Sequence, residues 1–249
     1  MSNSGPVAIV TAAGQGIGAG IARGLAARGF RLALMSPSGS SVELARELGA
    51  VGLNGSVTDA KDLGKLVELA LASYGRIDGV VNNTGRDKES LEASGPAYDP
   101  HLDRSLTDID DAAWLYGVEL YFLNVVRMAR LVTPVLQRQG GGSIVNISTF
   151  VALEPRLMFP VSGTIRLALA GYTKLYADRY ARDGIRMNNI LPGFVENWPL
   201  DAGVARSIPA GRAVTMEELA ATTAFLLSQG AASITGQNLL VDGGINRAV

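Results

Sequence analysis

The sequence contains no cysteine and a single histidine, His101. The first absence excludes disulfide frameworks, thiolate nucleophiles and cysteine zinc sites. The second leaves one imidazole and no clustered histidine site, so no metal is expected. No apolar run approaches the roughly 20 residues that a membrane span needs. Residues 1–6 are polar and lack the basic start and long apolar stretch of a secretory signal. An excess of one charge is missing too: 22 basic residues stand against 23 acidic ones, for a net charge of -1. That balance offers no electrostatic reason to expect nucleic acid or an anionic membrane as partner. Internal repeats, low-complexity tracts and linkers are absent. The expectation is a cytoplasmic protein whose partner is a small-molecule substrate.

What is present is apolar material, 47% of residues, arranged with two alternating periods. Short apolar runs at 7–10, 31–35, 51–53, 80–82, 143–147, 186–191 and 239–241 read as strands. Helix-period segments lie between them. Ile17, Ile21 and Leu25 recur at i, i+4 and i+8, and further helices are read at 61–74, 112–139 and 162–181. Ser40 and Glu43 have capping-box spacing for a helix ending near Gly49, as do Thr215 and Glu218 for one running to Gln229. Strands separated by such helices imply right-handed crossovers and a parallel sheet. The class is therefore α/β: a single Rossmann-type doubly wound parallel sheet of about seven strands, helices on both faces, one domain over 1–249. A long polar loop at 86–110, holding Pro96, Pro100 and His101, exceeds ordinary connection lengths.

Thr11-Ala12-Ala13-Gly14-Gln15-Gly16-Ile17-Gly18 joins the first strand to the first helix. Such a turn sets backbone N–H groups and a helix N-terminus against a pyrophosphate, where the dipole favours negative charge. At this point the chain resembles the short-chain dehydrogenase/reductase family, over essentially its whole length. That family usually reads Thr-Gly-x-x-x-Gly-x-Gly here, so Ala12 is a departure. Asn82-Asn83-Thr84-Gly85 resembles its Asn-Asn-Ala-Gly, and 142–149 resembles its fifth strand. Pro192-Gly193, Ile234-Thr235-Gly236-Gln237 and Val241-Asp242-Gly243-Gly244 follow in the family's order. The resemblance implies NAD(P) binding by Thr11, Gly14, Gln15, Gly16, Ile17, Gly18, Ser36, Ser38, Ser56, Val57, Asn83, Thr84, Gly85, Arg166, Pro192, Gly193 and Val195. It also implies a homotetramer or homodimer, built through the long helices around Tyr121 and Tyr172.

The family's usual active site is Asn, Ser, Tyr and Lys, the last two spaced Tyr-x-x-x-Lys. No Tyr-x-x-x-Lys exists in this chain. The resemblance places Ser162 at the tyrosine position, Arg166 at the lysine position, Thr149 at the serine position and Tyr121 at the asparagine position, with Asn124 one turn later. An aliphatic hydroxyl is a far weaker acid than a phenol, so Ser162 is no simple replacement. Arg166 can hold ribose hydroxyls but stays protonated. Thr149 keeps a hydroxyl for a substrate oxygen. Tyr121 brings a phenol back from another helix, to polarise or protonate substrate with Arg166, or only to pack.

After the second strand, NAD binders usually carry an acidic residue and NADP binders an arginine. Here Ser36, Ser38 and Ser40 stand instead, able to donate to a 2′-phosphate or only to shape a turn. The expectation leans to NADP, with NAD the alternative. The substrate is expected beyond the carboxyl ends of the strands, between 86–110 and a loop at 194–209, against Phe194, Val195, Trp198, Leu200, Phe159 and Met158. Asn197 falls near the cofactor amide by resemblance. Glu154, Glu196 and His101 are further titratable residues there, and Lys174 and Asp178 have the spacing of a helix ion pair. Three functions fit: an NAD(P)-dependent short-chain oxidoreductase with an altered active site, acting on a small carbonyl, alcohol or imine; a non-catalytic dinucleotide-binding sensor or assembly subunit; or acid–base or lyase chemistry with the cofactor structural or absent.

Overall fold

A computed structural model describes residues 5–84, 103, 105–200 and 202–248. Seven short apolar runs pair side by side into one sheet: β1 (Val7–Val10), β2 (Arg31–Ser36), β3 (Val51–Asn54), β4 (Gly79–Asn82), β5 (Gly142–Ile147), β6 (Ile185–Pro192) and β7 (Asn238–Val241). Their order is β3-β2-β1-β4-β5-β6-β7, and every pairing is parallel. The chain winds outward in opposite directions from β1 and from β4. A crevice therefore opens between these two strands at their carboxyl ends, where doubly wound sheets bind ligands.

Helices cover both faces, as continuous apolar strands require. They are α1 (Gly16–Ala27), α2 (Ser40–Leu48), α3 (Ala60–Tyr74), α4 (Asp111–Val118), α5 (Asn124–Gln139), α6 (Pro160–Tyr180), α7 (Ala202–Ser207) and α8 (Met216–Leu227). Because strand side chains alternate, Ile9, Met35, Val80 and Ile144 face one core with Leu66, Met128 and Tyr176. Val10, Leu34, Val81 and Val145 face the other, with Ile21, Leu44, Leu219 and Leu226. A third cluster (Phe150, Val151, Phe194, Val204, Ile208 and Ile245) lies beyond the strand ends. Among the described residues no helix is long and apolar enough to cross a membrane, and no three metal-binding side chains group together.

Three local expectations change. The capping box at Ser40 and Glu43 does not form: Gly39, at φ 61°, is the N-cap, and Ser40 is the first helical residue. The box at Thr215 and Glu218 does form. The helix expected at 112–139 is two helices joined by a π-helical turn, Glu119–Leu123. The loop at 194–209 holds α7, too short to show a period in sequence.

One polar row crosses the apolar sheet. Asn82, Asn146, Asn189 and Asn238 stand in register on β4, β5, β6 and β7. The Nδ2 of Asn82 donates to Oδ1 of Asn146 at 2.9 Å, Asn146 to Asn189 at 2.9 Å, and Asn189 to Asn238 at 2.7 Å. The Thr173 hydroxyl of α6 donates to Asn189 Oδ1 at 2.9 Å. Buried amides demand such partners.

Candidate active site

The glycine-rich turn begins where Thr11 ties β1 to β4. Its hydroxyl donates to the Asn83 carbonyl at 2.7 Å and accepts from the Asn83 amide at 3.0 Å. Ala12 follows at φ 46°, a left-handed conformation that costs an L side chain about 1–2 kcal/mol. Gly18 lies under the turn, where a Cβ would come within 2.2 Å of the Ala12 carbonyl oxygen. The close approach of α1 to this turn therefore requires glycine. Gln15, the N-cap of α1, makes no side-chain cap, and no acidic residue stands in the first turn. The helix thus presents its positive end without a side chain to satisfy it.

A cavity of about 750 Å³ opens at this helix end and runs along the carboxyl edge of the sheet. Gly14, Gln15, Gly16, Ile17, Asn83, Thr84, Gly193 and Val195 line it, with Ser36, Ser38, Ser56 and Val57 at one end. Thr149, Ser162, Arg166 and Tyr121 line the other. Thr11, Gly18 and Pro192 are buried and do not line the cavity. Gly85, residues 86–102 of the long loop and His101 lie outside the described residues. Phe159, Phe194 and Trp198 form an apolar wall; Met158 and Leu200 do not line the cavity. Glu196 accepts from the Met216 amide at the start of α8, and Glu154 pairs with Arg156, so both acids are engaged elsewhere. Lys174 and Asp178 pair at 3.6 Å on the exposed surface.

The serine end is polar and uncharged. Ser38 and Ser40 hydroxyls lie 2.8 Å apart, Ser36 and Ser40 3.4 Å, and the Ser41 amide donates to Ser36. At the other end, Arg166 comes from the second turn of α6 and is 8% exposed. Its Nη1 donates to the Ile147 carbonyl at 2.5 Å and its Nη2 to the Thr84 hydroxyl at 3.0 Å. The guanidinium lies over the Tyr121 ring, 4.6 Å from its centroid. Burial pushes its pKa down, which Tyr121 partly opposes.

Tyr121 reaches this place because the π turn winds five residues where an α-helix fits fewer. Asn124 donates to the Leu120 carbonyl, so it serves the turn and not the cavity. Glu119 pairs with Arg127, which also donates to the Thr58 carbonyl at 3.1 Å. Thr58 lines the serine end. Arg127 therefore joins the turn carrying Tyr121 to the far end of the cavity.

Residues 11–246 match the family described as Enoyl-(Acyl carrier protein) reductase. The chain is 31% identical to 3-oxoacyl-[acyl-carrier-protein] reductase FabG of Escherichia coli strain K12, covering 98% of this chain and 99% of that one. It is 31% identical to cis-4-hydroxycyclohexanecarboxylate dehydrogenase of Sinomonas cyclohexanicum, covering 96% and 95%. D-threitol dehydrogenase of Mycolicibacterium smegmatis is also 31% identical, over 96% and 92%. The chain belongs to the short-chain dehydrogenase/reductase family.

In this short-chain dehydrogenase/reductase the described cavity lining carries charge of one sign. Among its described lining residues Arg166 is the one charged side chain, and no carboxylate is present. Sequence reasoning missed Ser148, which also lines it. Ser148 is 7% exposed and its hydroxyl has no hydrogen-bond partner among the described residues. Its neighbour Thr149 drew attention as the position of the family serine, and nothing in the residue string distinguishes the two hydroxyls by burial. The glycine cradle and uncapped α1 end fit a dinucleotide's diphosphate: Gly16 lines the cavity at φ 54°, a backbone that a side chain would strain.

Proposed function

We propose that the protein is an NAD(P)-dependent short-chain oxidoreductase with an altered active site, interconverting a small carbonyl or imine and its reduced form. The observation that carries this reading is one continuous cavity joining the uncapped end of α1 to the Thr149, Ser162, Arg166 and Tyr121 cluster. A nicotinamide dinucleotide would be held by Gly14, Gln15, Gly16 and Ile17 at its diphosphate, by Asn83, Thr84, Gly193 and Val195 along its length, and by Ser56 and Val57 at its adenosine end. When bound, it supplies the site with hydride exchange.

The chain's own residues do the rest. Thr149 and Ser162 orient the carbonyl oxygen through their hydroxyls. The Arg166 charge stabilises the negative charge that develops on that oxygen. Ser162 is too weak an acid to deliver the proton, and we assign that role to the Tyr121 phenol. The carboxylate-free serine end favours NADP, because Ser36, Ser38 and Ser40 offer donors to a 2′-phosphate and nothing repels it. We also propose a homotetramer or homodimer. Leu167 and Leu175 of α6 are 50% and 70% exposed and offer an apolar face, whereas Tyr121 is buried within its own chain.

A second reading has a specific observation behind it: Ser162 and Arg166 depart together from the family's tyrosine and lysine, which suits a dinucleotide-binding sensor without turnover. Calorimetry with NADP(H) and NAD(H), followed by a carbonyl and alcohol panel monitored by nicotinamide absorbance, separates the two. Coenzyme binding with turnover supports the enzyme. Binding without turnover on any compound supports the sensor. No heat for either coenzyme with well-folded protein overturns both.

A further inference from the structure

Arg166 is a buried cation without a counter-ion among the described residues. A guanidinium carries five N–H donors. Here two are used, on the Ile147 carbonyl and the Thr84 hydroxyl, and both acceptors are neutral. Nε is sealed from solvent without a partner. The Tyr121 ring face offsets part of the cost of holding a positive charge here. A ring face is a weaker partner for a buried ion than a carboxylate. Buried charges are paired as a rule, and among the described residues no carboxylate lines this cavity to do so.

Ser148 adds a second, independent deficit at the same end. It follows β5 directly, beside the Ile147 carbonyl that Arg166 bonds. Its amide is fixed on the Ile190 carbonyl at 2.8 Å, while its buried hydroxyl has no partner among the described residues. Neutral ribose hydroxyls would answer a donor without answering the charge. The diphosphate would lie at the other side, against α1. What remains open at Arg166 is the substrate.

We infer that the substrate carries its own carboxylate, which takes the place of the missing counter-ion at Arg166 and accepts from Ser148, with its apolar part against Phe159, Phe194 and Trp198. The substrate class is thus a small oxo- or hydroxycarboxylate. This rests on the oxidoreductase reading above and narrows it, giving Arg166 to the substrate's carboxylate and leaving the carbonyl oxygen to Thr149, Ser162 and Tyr121. Charge-assisted hydrogen bonds from arginine to carboxylate are among the strong ones, so the acid is separated clearly from an uncharged analogue of the same shape.

The test compares 2-oxopentanoate and 4-oxopentanoate, each against its methyl ester, by calorimetry on the full chain with and without saturating coenzyme. At least one acid binds tenfold or more tightly than its ester. In Arg166→Gln that preference falls to within twofold, in Arg166→Lys it survives in part, and in Ser148→Ala it falls severalfold at unchanged coenzyme affinity. Melting curves establish that each variant is folded. Should Arg166→Gln fail to fold, the lysine and serine variants decide. Acids and esters binding alike to the native protein overturn the inference, as does a preference untouched by all three variants. Loss of coenzyme affinity in Arg166→Gln, with no acid preference in the native chain, assigns Arg166 to the ribose and also overturns it. Absence of coenzyme binding sinks the oxidoreductase reading instead, and the acid–ester comparison on coenzyme-free protein still decides this one.

Discussion

Arg166 rests on the face of Tyr121, so ring and hydroxyl are separable by mutation. Tyr121→Phe keeps the face and removes the oxygen. It should leave stability within about 1 kcal/mol of native while abolishing turnover, and unchanged turnover would refute the proton role. Tyr121→Leu removes the face as well and should cost about 2 kcal/mol or more by denaturant midpoint, from the lost cation–π contact and the cavity left behind. Tyr176 makes a pH prediction. It is buried, its hydroxyl lies 2.5 Å from that of Thr133, and burial pushes its pKa up from 10 to about 12. Above pH 10 the unfolded chain releases this proton while the folded chain retains it, so stability falls as pH rises towards 12. Melting temperatures across that window should drop less steeply in Tyr176→Phe. Thr149, Ser162, Arg166 and Tyr121 were legible in sequence through their register against family motifs. Ser148 was not, because an orphaned hydroxyl is a property of surroundings and leaves no mark in the residue string.

The π turn and the serine cluster act as elements. Period reading over 112–139 gave one helix because Glu119-Leu120-Tyr121-Phe122-Leu123 is apolar nearly all round, and an inserted turn rotates the face without interrupting the pattern. The cap of α2 was misread for a related reason: serine followed by glutamate at the right spacing also suits a first helical turn once Gly39 takes the left-handed cap. At Gly14 a Cβ would come within 1.9 Å of Ser40 Oγ and 2.7 Å of Ser36 Oγ. Gly14→Ala must therefore displace these hydroxyls. If they hold a 2′-phosphate, NADPH affinity falls more than NADH affinity in calorimetry; equal losses show that the cluster does not discriminate. At α8, Glu218 binds Arg212 and the Thr215 amide, which hold its pKa near 2, below its ordinary 4.5. A lowered pKa contributes stability above 4.5 that is lost as pH falls towards 2. Glu218→Gln keeps the capping oxygen but not the charge, so its deficit in Tm at pH 7 should fade across that window.

At the scale of the molecule, the alternation of apolar runs and helix periods was enough to read a doubly wound parallel sheet, since buried parallel strands leave near-continuous hydrophobic stretches. The asparagine row was not legible. Its members lie 43 to 64 residues apart and look like isolated polar interruptions. Asn146→Ala in mid-row strands the Asn82 amide and should cost about 2–4 kcal/mol, read as a lower denaturant midpoint at unchanged m. The row has a further consequence during assembly. An amide finds its neighbour at a single alignment of adjacent strands; slide β5 by one residue and Val145 or Ile147 stands where Asn146 belongs, leaving a buried donor empty-handed. Apolar strands alone would tolerate such slippage. These four side chains set a penalty on every slipped alignment of β4 to β7 and so favour a single one.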